Sequence, residues 1–138
     1  MVSTDNGPHQ VELDEWISCA PFERFLGITI VFAEHGEALL TMAFSRNLAQ
    51  GAGLMHGGAL VSLADTAAVI AIKSLLAPGT NFATRSLECT FLRPVMQGSV
   101  EASAIVTRLD ERRFLGQSTI HDHHKRTVLQ ARMHFSLY

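Results

Sequence analysis

A chain of 138 residues and 15.1 kDa fits one domain. With 47% apolar and 17% charged residues, it excludes disorder as the dominant state. A net charge of −2 lacks the basic excess that neutralises phosphate backbones, so no nucleic-acid partner is expected.

Residues 1–9 are polar and include Gly7 and Pro8, which predicts a loose tail ahead of a single domain over residues 10–138. The opening Met1–Pro8 has neither the basic nor the apolar region of a secretory signal. Val11, Leu13, Trp16 and Ile17 interleave with Glu12, Asp14 and Glu15, predicting a short amphipathic helix over Val11–Cys19. Pro21 ends that helix or starts a second short turn. Phe25–Ala33, the turn Glu34–Glu37 and Ala38–Phe44 read as a β-hairpin. Ser45–Gly53 carries loop residues. Gly57-Gly58 then opens a long helix rich in Ala and Leu, running to Ala77 and closed by Pro78-Gly79. Apolar residues surround it, so it should be buried on most sides. Ser62, Asp65, Thr66, Lys73 and Ser74 interrupt the stretch, which argues against a membrane span. Four strands follow, over Asn81–Leu92, Gly98–Leu109, Arg113–His121 and Thr127–Leu137. The segregated order predicts an α+β fold, with an antiparallel sheet packed on the buried helix.

The loop from Gln50 through His56 leads into Gly57 and Gly58. The first N–H groups of a helix lack internal partners and lie at the positive end of its dipole. That position suits a carbonyl oxygen becoming an anion. Glycine lets a ligand approach the backbone there. Asp65 stands among alanines and leucines of the same helix, where a carboxylate is costly unless something is organised around it. Each feature alone has a plainer reading. Gly-Gly is a common joint between loop and helix, a helical Asp usually faces water, and a His before a helix usually caps it. Their conjunction on one apolar helix points to a site. Asp65 follows Gly57 by eight residues, about 12 Å along the axis. One helix therefore cannot bring both groups to one reacting carbon. An antiparallel copy of the helix would set Asp65 of one chain beside Gly57 of the other. A catalytic role for both implies a two-fold dimer with two composite sites.

The stretch Gln50–Ala68, with His56-Gly57-Gly58 and Leu63-Ala64-Asp65-Thr66-Ala67, resembles the hotdog-fold acyl-CoA thioesterases of the phenylacetic-acid-degradation type. Cys89-Thr90-Phe91-Leu92-Arg93-Pro94 resembles a strand end of the same family, and the resemblance covers Phe25 to Phe135. It implies a long central helix wrapped by a curved antiparallel sheet. It also implies homodimers, often paired into homotetramers, with active sites between protomers. By resemblance, the Gly57 amide polarises the carbonyl of an acyl-CoA thioester. Asp65 of the other chain is then the general base for water or the nucleophile. His56 shapes the oxyanion loop, and Gly58 joins the substrate contacts. Gln50 matches a position where the family usually has Asn, one methylene shorter. Thr84 matches a hydroxyl position that holds the water, with Ala83 and Ser86 as neighbouring alternatives. Phe91, Arg93 and Pro94 match the segment that binds the CoA end. Arg93 and one of Arg112 or Arg113 are the expected phosphate ligands. The plainer reading of each arginine is an ordinary solvated side chain.

No metal or redox cofactor is implied, since CoA belongs to the substrate. The run His121-Asp122-His123-His124 falls in a predicted turn and lacks a second ligand cluster, so it reads as a solvated turn rather than a zinc site. Cys19 and Cys89 read as structural thiols, and their number fits a cytoplasmic location. Two other readings stay open. One is an acyl-CoA-binding protein without turnover. The other is a hydratase or dehydratase of enoyl or hydroxyacyl thioesters, using His56 with Asp65.

Overall fold

The computed structural model describes residues 11–138, so the tail expected over residues 1–9 lies outside the described residues. Helix α1 covers Pro21–Leu26, and the long helix α2 covers Gly57–Lys73. Six strands accompany them: β1 Ile28–Glu34, β2 Glu37–Ala43, β3 Phe82–Phe91, β4 Ser99–Arg108, β5 Arg113–His121 and β6 Thr127–Leu137. A short 3₁₀ turn spans Arg46–Leu48. The strands form one antiparallel sheet in the order β1-β2-β4-β5-β6-β3. Its inner face wraps α2, the hotdog arrangement implied by the resemblance.

Period-two alternation explains which side chains meet the helix. Ala38, Leu40 and Met42 of β2, Val100, Ala102 and Ala104 of β4, and Phe114 and Ile120 of β5 are all buried. On α2, Leu60, Leu63, Ala64, Ala67, Ala68 and Ala71 are buried against them. Small residues let the helix approach closely, and Gly116 of β5 sets the limit. A Cβ at Gly116 would lie 2.9 Å from the Phe135 ring and 3.1 Å from the Ala68 Cβ. Beside it, the Ser118 hydroxyl is buried and donates to the Ala64 carbonyl at 2.7 Å. A net contribution of about 1 kcal/mol is usual for such a bond. It fixes α2 one residue before Asp65.

Three expected boundaries move. The N-terminal helix lies at Pro21–Leu26, and Val11–Cys19 is not helical. Pro21 sits in the first turn, where a missing N–H costs nothing, and Gly27 ends the helix at φ +76°. Phe25 and Leu26 therefore belong to α1, and the strand starts at Ile28. Ile17 and Cys19 of the preceding segment pack against the core without coiling. The Trp16 indole donates to the Lys73 carbonyl at 2.9 Å, and the Lys73 ammonium donates to the Trp16 carbonyl at 3.1 Å. The long helix stops at Lys73 rather than Ala77. There the Ser74 hydroxyl donates to the Ala71 carbonyl at 2.6 Å and accepts from the Gly36 N–H at 2.8 Å.

The sheet leaves β3 bare. It pairs with β6 alone at one edge, and most of its residues are exposed. Val61, Ser62, Asp65, Thr66 and Val69 form a half-exposed stripe along α2.

Candidate active site

The loop before α2 is tied down on both sides. The Met55 N–H donates to the Val95 carbonyl at 2.8 Å, and the His56 N–H donates to the Leu48 carbonyl at 2.7 Å. His56 is the N-cap of α2, and its Nδ1 accepts from the Gly58 N–H at 2.8 Å. The His56 carbonyl accepts from the N–H groups of Ala59 and Leu60. Gly58, Ala59 and Leu60 thus have partners for their N–H groups. The Gly57 N–H makes no hydrogen bond among the described residues. It is an unspent donor at the positive end of a 17-residue helix.

A cleft of about 320 Å³ opens beside this donor, lined in part by Gln50, Leu54, Gly57, Phe91, Arg93 and Pro94. The remaining lining is Met55, Leu60 and Leu92, so the walls are mainly apolar. A Cβ at residue 57 would lie 3.2 Å from the Phe91 ring, tight enough that the ring would have to give way. Gln50 lines the cleft, but its side-chain oxygen accepts from the Ala52 N–H, which turns the amide onto its own loop.

Asp65 lies two turns further along α2, on the half-exposed stripe. Burial pushes its carboxyl above the ordinary carboxylate range, outweighing the Thr84 hydroxyl that pulls it down. The Thr84 hydroxyl donates to Asp65 Oδ1 at 3.0 Å. Of Ala83, Thr84 and Ser86, Thr84 is thus the one bonded to the carboxylate. A register shift in β3 between Thr84 and Ser86 accompanies this placement.

The chain therefore holds two half-sites. Gln50, Gly57, Phe91, Arg93 and Pro94 share the cleft at the helix start, with His56 and Gly58 bonded to each other at its edge. Asp65 and Thr84 form the second. Arg112 and Arg113 are at neither. They precede or begin β5 and line a separate cleft with Arg85 and Tyr138, where Arg113 pairs with Asp110 at 2.6 Å. Among the described residues no group of histidine, cysteine and acidic side chains has metal-site geometry, and His121–His124 include a tight turn. Sequence reasoning missed Leu54, Met55 and Leu60 as cleft walls, because apolar side chains carry no chemical signature. It also missed that Cys89 lies near Asp65. Burial raises the pKa of that thiol, and the Asp65 charge raises it further. A contact across strand and helix has no local trace in sequence. Among the described residues no helix is long and apolar enough to cross a membrane.

Comparison with known proteins gives one family match. The model of the thioesterase superfamily matches residues 52–129. A protein of Halobacterium salinarum named as a candidate esterase is 36% identical over 90 residues, 62% of this chain and 59% of that protein. The chain thus spans less than two thirds of that curated relative. The solved structure of the Escherichia coli PaaI protein, from the phenylacetic acid degradation operon, is 28% identical with a TM-score of 0.79. That alignment covers 86% of this chain and 85% of PaaI. A thioesterase of Haemophilus influenzae is 26% identical with a TM-score of 0.79, over 85% of this chain and 82% of that one. A conserved Pseudomonas aeruginosa protein reaches a TM-score of 0.85 at 22% identity, covering 92% of this chain and all of its own, a likeness of fold.

Proposed function

The chain belongs to the thioesterase superfamily, and from that premise we propose that it hydrolyses an acyl-CoA thioester to the free acid and CoA. One observation carries the reading: among the described residues the helix start has a single unspent N–H, that of Gly57, beside a mainly apolar cleft. A thioester carbonyl that accepts from this amide gains most as its oxygen becomes an anion, so the contact favours the transition state over the substrate. Asp65 supplies the base. Its carboxyl is held above the ordinary range, nearer to working pH, and the Thr84 hydroxyl orients it. Water gives a proton to Asp65 as its oxygen bonds to the carbonyl carbon. The tetrahedral intermediate then collapses, the carbon–sulfur bond breaks, and CoA leaves as the thiol after taking up a proton. Metal and redox cofactors have no part in this scheme.

Two chains build each site. The 12 Å or so between Gly57 and Asp65 on one helix is too far for one carbon. A second copy laid antiparallel on the α2 stripe would close that gap. The bare edge of β3, with Leu87 and Phe91 exposed, favours such a cover, since unpaired edges and apolar surface are rarely left open. The acyl group is of aryl or short to medium chain length. That choice is supported by the apolar cleft walls and by the likeness to a protein of the phenylacetic acid degradation operon.

The test is thiol release from a panel of aryl-, short-, medium- and long-chain acyl-CoAs, with wild type beside Asp65→Asn. Release that falls at least about a hundredfold in the folded variant is the expected result. Equal release by both proteins would remove Asp65 from the chemistry.

A further inference from the structure

A buried polar side chain is costly unless something is organised around it. Among the described residues two polar or charged side chains are buried, Ser118 in β5 and Asp122 directly after that strand. Ser118 fastens α2 one residue before Asp65. Asp122 touches neither half-site. We propose that Asp122 is a positioning residue for the Gly57 amide, acting through the β5–β6 turn and the loop over residues 92–98. The proposal rests on the reading of Gly57 as the oxyanion donor and adds a residue that holds this donor in place.

The turn is built around that carboxylate. Asp122 Oδ1 accepts from the N–H groups of His124 at 2.9 Å and Arg126 at 3.0 Å. Its Oδ2 accepts from Nε of Arg126 at 2.9 Å. The Asp122 N–H donates to the Arg126 carbonyl at 3.0 Å, which closes the turn. Lys125 is held at φ +66°, a conformation that a residue with a side chain keeps only where its surroundings impose it. The same turn seats His123 on Gly98. A Cβ at Gly98 would lie 2.7 Å from the His123 Nδ1, so the ring rests directly on bare backbone.

From Gly98 the link runs back to the helix start. Residues 94–97 line a cleft of about 140 Å³ with Asp122, His123, His124 and Arg126 across it. Beyond the turn, the Val128 carbonyl accepts from the N–H groups of Leu92 at 2.8 Å and Arg93 at 3.3 Å. The loop is therefore held at both ends by the segment that Asp122 organises. Its middle reaches the site. Val95 is buried, and its carbonyl accepts from the Met55 N–H at 2.8 Å. Met55 precedes His56, whose Nδ1 takes the Gly58 N–H and leaves that of Gly57 unspent. A displacement of about 1 Å, even one caused far from the chemistry, can cost about a hundredfold in rate. Asp122 thus acts on the amide through the loop, without lining the cleft beside Gly57.

Position and rate are measured separately. Hydrogen exchange over residues 49–56 reports whether the Met55 N–H is held, and thiol release from an acyl-CoA that wild type turns over reports the rate. Asp122→Ala leaves three donors without an acceptor. It should speed exchange over residues 49–56 about tenfold and lower kcat about tenfold, with KM within about twofold of wild type. Asp122→Asn keeps an oxygen for the two backbone N–H groups and should bring both readings to within about threefold of wild type. His123 is exposed, so His123→Ala should fold and speed the same exchange by a smaller factor. It decides the matter even if Asp122→Ala does not fold. Ile120→Val, a core truncation near the end of β5, should change neither reading. Unchanged exchange in Asp122→Ala and His123→Ala, or equal acceleration in Ile120→Val, would overturn the proposal. So would faster exchange without a fall in kcat, a rise in KM alone, or no rescue by Asp122→Asn. If wild type turns over no thioester, the hydrolase reading falls instead, and exchange still decides whether Asp122 holds the loop.

Discussion

At the scale of single residues, Asp65 and Gly57 make opposite demands on their surroundings. In the proposed reaction Asp65 needs a setting that raises its proton affinity without neutralising it at working pH. Burial raises it, and the Thr84 hydroxyl restrains the rise by stabilising the carboxylate. A base must be ionised to act, so kcat/KM should fall as pH drops through the Asp65 pKa, above the ordinary aspartate range. Thr84→Val removes a bond to the charged form, so the acid limb should move to higher pH, while Thr84→Ser should restore it. A pH profile of all three proteins decides this, and an unmoved limb in Thr84→Val would detach the hydroxyl from the titration. Gly57 needs space instead. In Gly57→Ala the new methyl meets the Phe91 ring at 3.2 Å, so ring or helix start must shift. The proposed oxyanion contact tolerates little displacement, so kcat/KM should fall at least about tenfold. Removing the ring in Gly57→Ala/Phe91→Ala should return part of that loss relative to Phe91→Ala alone. Additive losses across the cycle would mean that the methyl acts in some other way. Both groups were visible in the sequence, because an acid on an apolar helix and a glycine pair at its start break a local pattern. The unspent state of the Gly57 amide was not. It depends on which neighbouring N–H groups the His56 side chain and carbonyl engage, and those are bond geometries.

At the scale of elements, α2 is held in place by what β5 lacks. Gly116 lets the helix lie against the sheet at Ala68, and Ser118 fastens it at Ala64. Gly116→Val puts a branched side chain where even a Cβ would crowd Phe135, Met133 and Ala68. Overpacking of this kind costs about 1–3 kcal/mol, so the urea midpoint should fall accordingly. An unchanged midpoint would mean that the helix moves away at no cost. The long helix and the later strands were legible because composition and alternation repeat over nine or more residues. The amphipathic pattern of Val11–Cys19 does not become a helix, because Ile17 and Cys19 pack against the core without coiling. Trp16 and Lys73 exchange hydrogen bonds across 57 positions of sequence. Pro21 and Gly27, by contrast, bracket the six residues that do coil, and local punctuation of this kind was present all along. The end of α2 shifted for a similar reason. Ser74 is bonded to the β1–β2 turn, which no helix propensity records.

At the scale of the whole molecule, the proposed two-chain site makes a prediction that no single-chain site shares. Asp65→Asn disables the base half and Gly57→Ala the oxyanion half, each on its own chain. In a two-fold dimer the sites pair Asp65 of either chain with Gly57 of the other. A mixed dimer of the two variants then has one site carrying both defects and one carrying neither. Unfolding and refolding the variants together at equal concentration makes about half the dimers mixed, each with one sound site of two. The mixture should therefore recover about a quarter of wild-type activity, although each variant alone retains about a tenth or less. If both groups served one site within a chain, every site in the mixture would stay defective and no activity would return. The recovered fraction also tests how the chains meet. Recovery needs α2 of one chain antiparallel to α2 of the other, so that the stripe bearing Val61, Asp65 and Val69 becomes the seam. A charge on that seam, as in Val69→Glu, should lower both the dimer fraction in sedimentation and the activity, since the half-exposed valine would then be covered. A dimer that survives Val69→Glu with full activity would place the seam on another face.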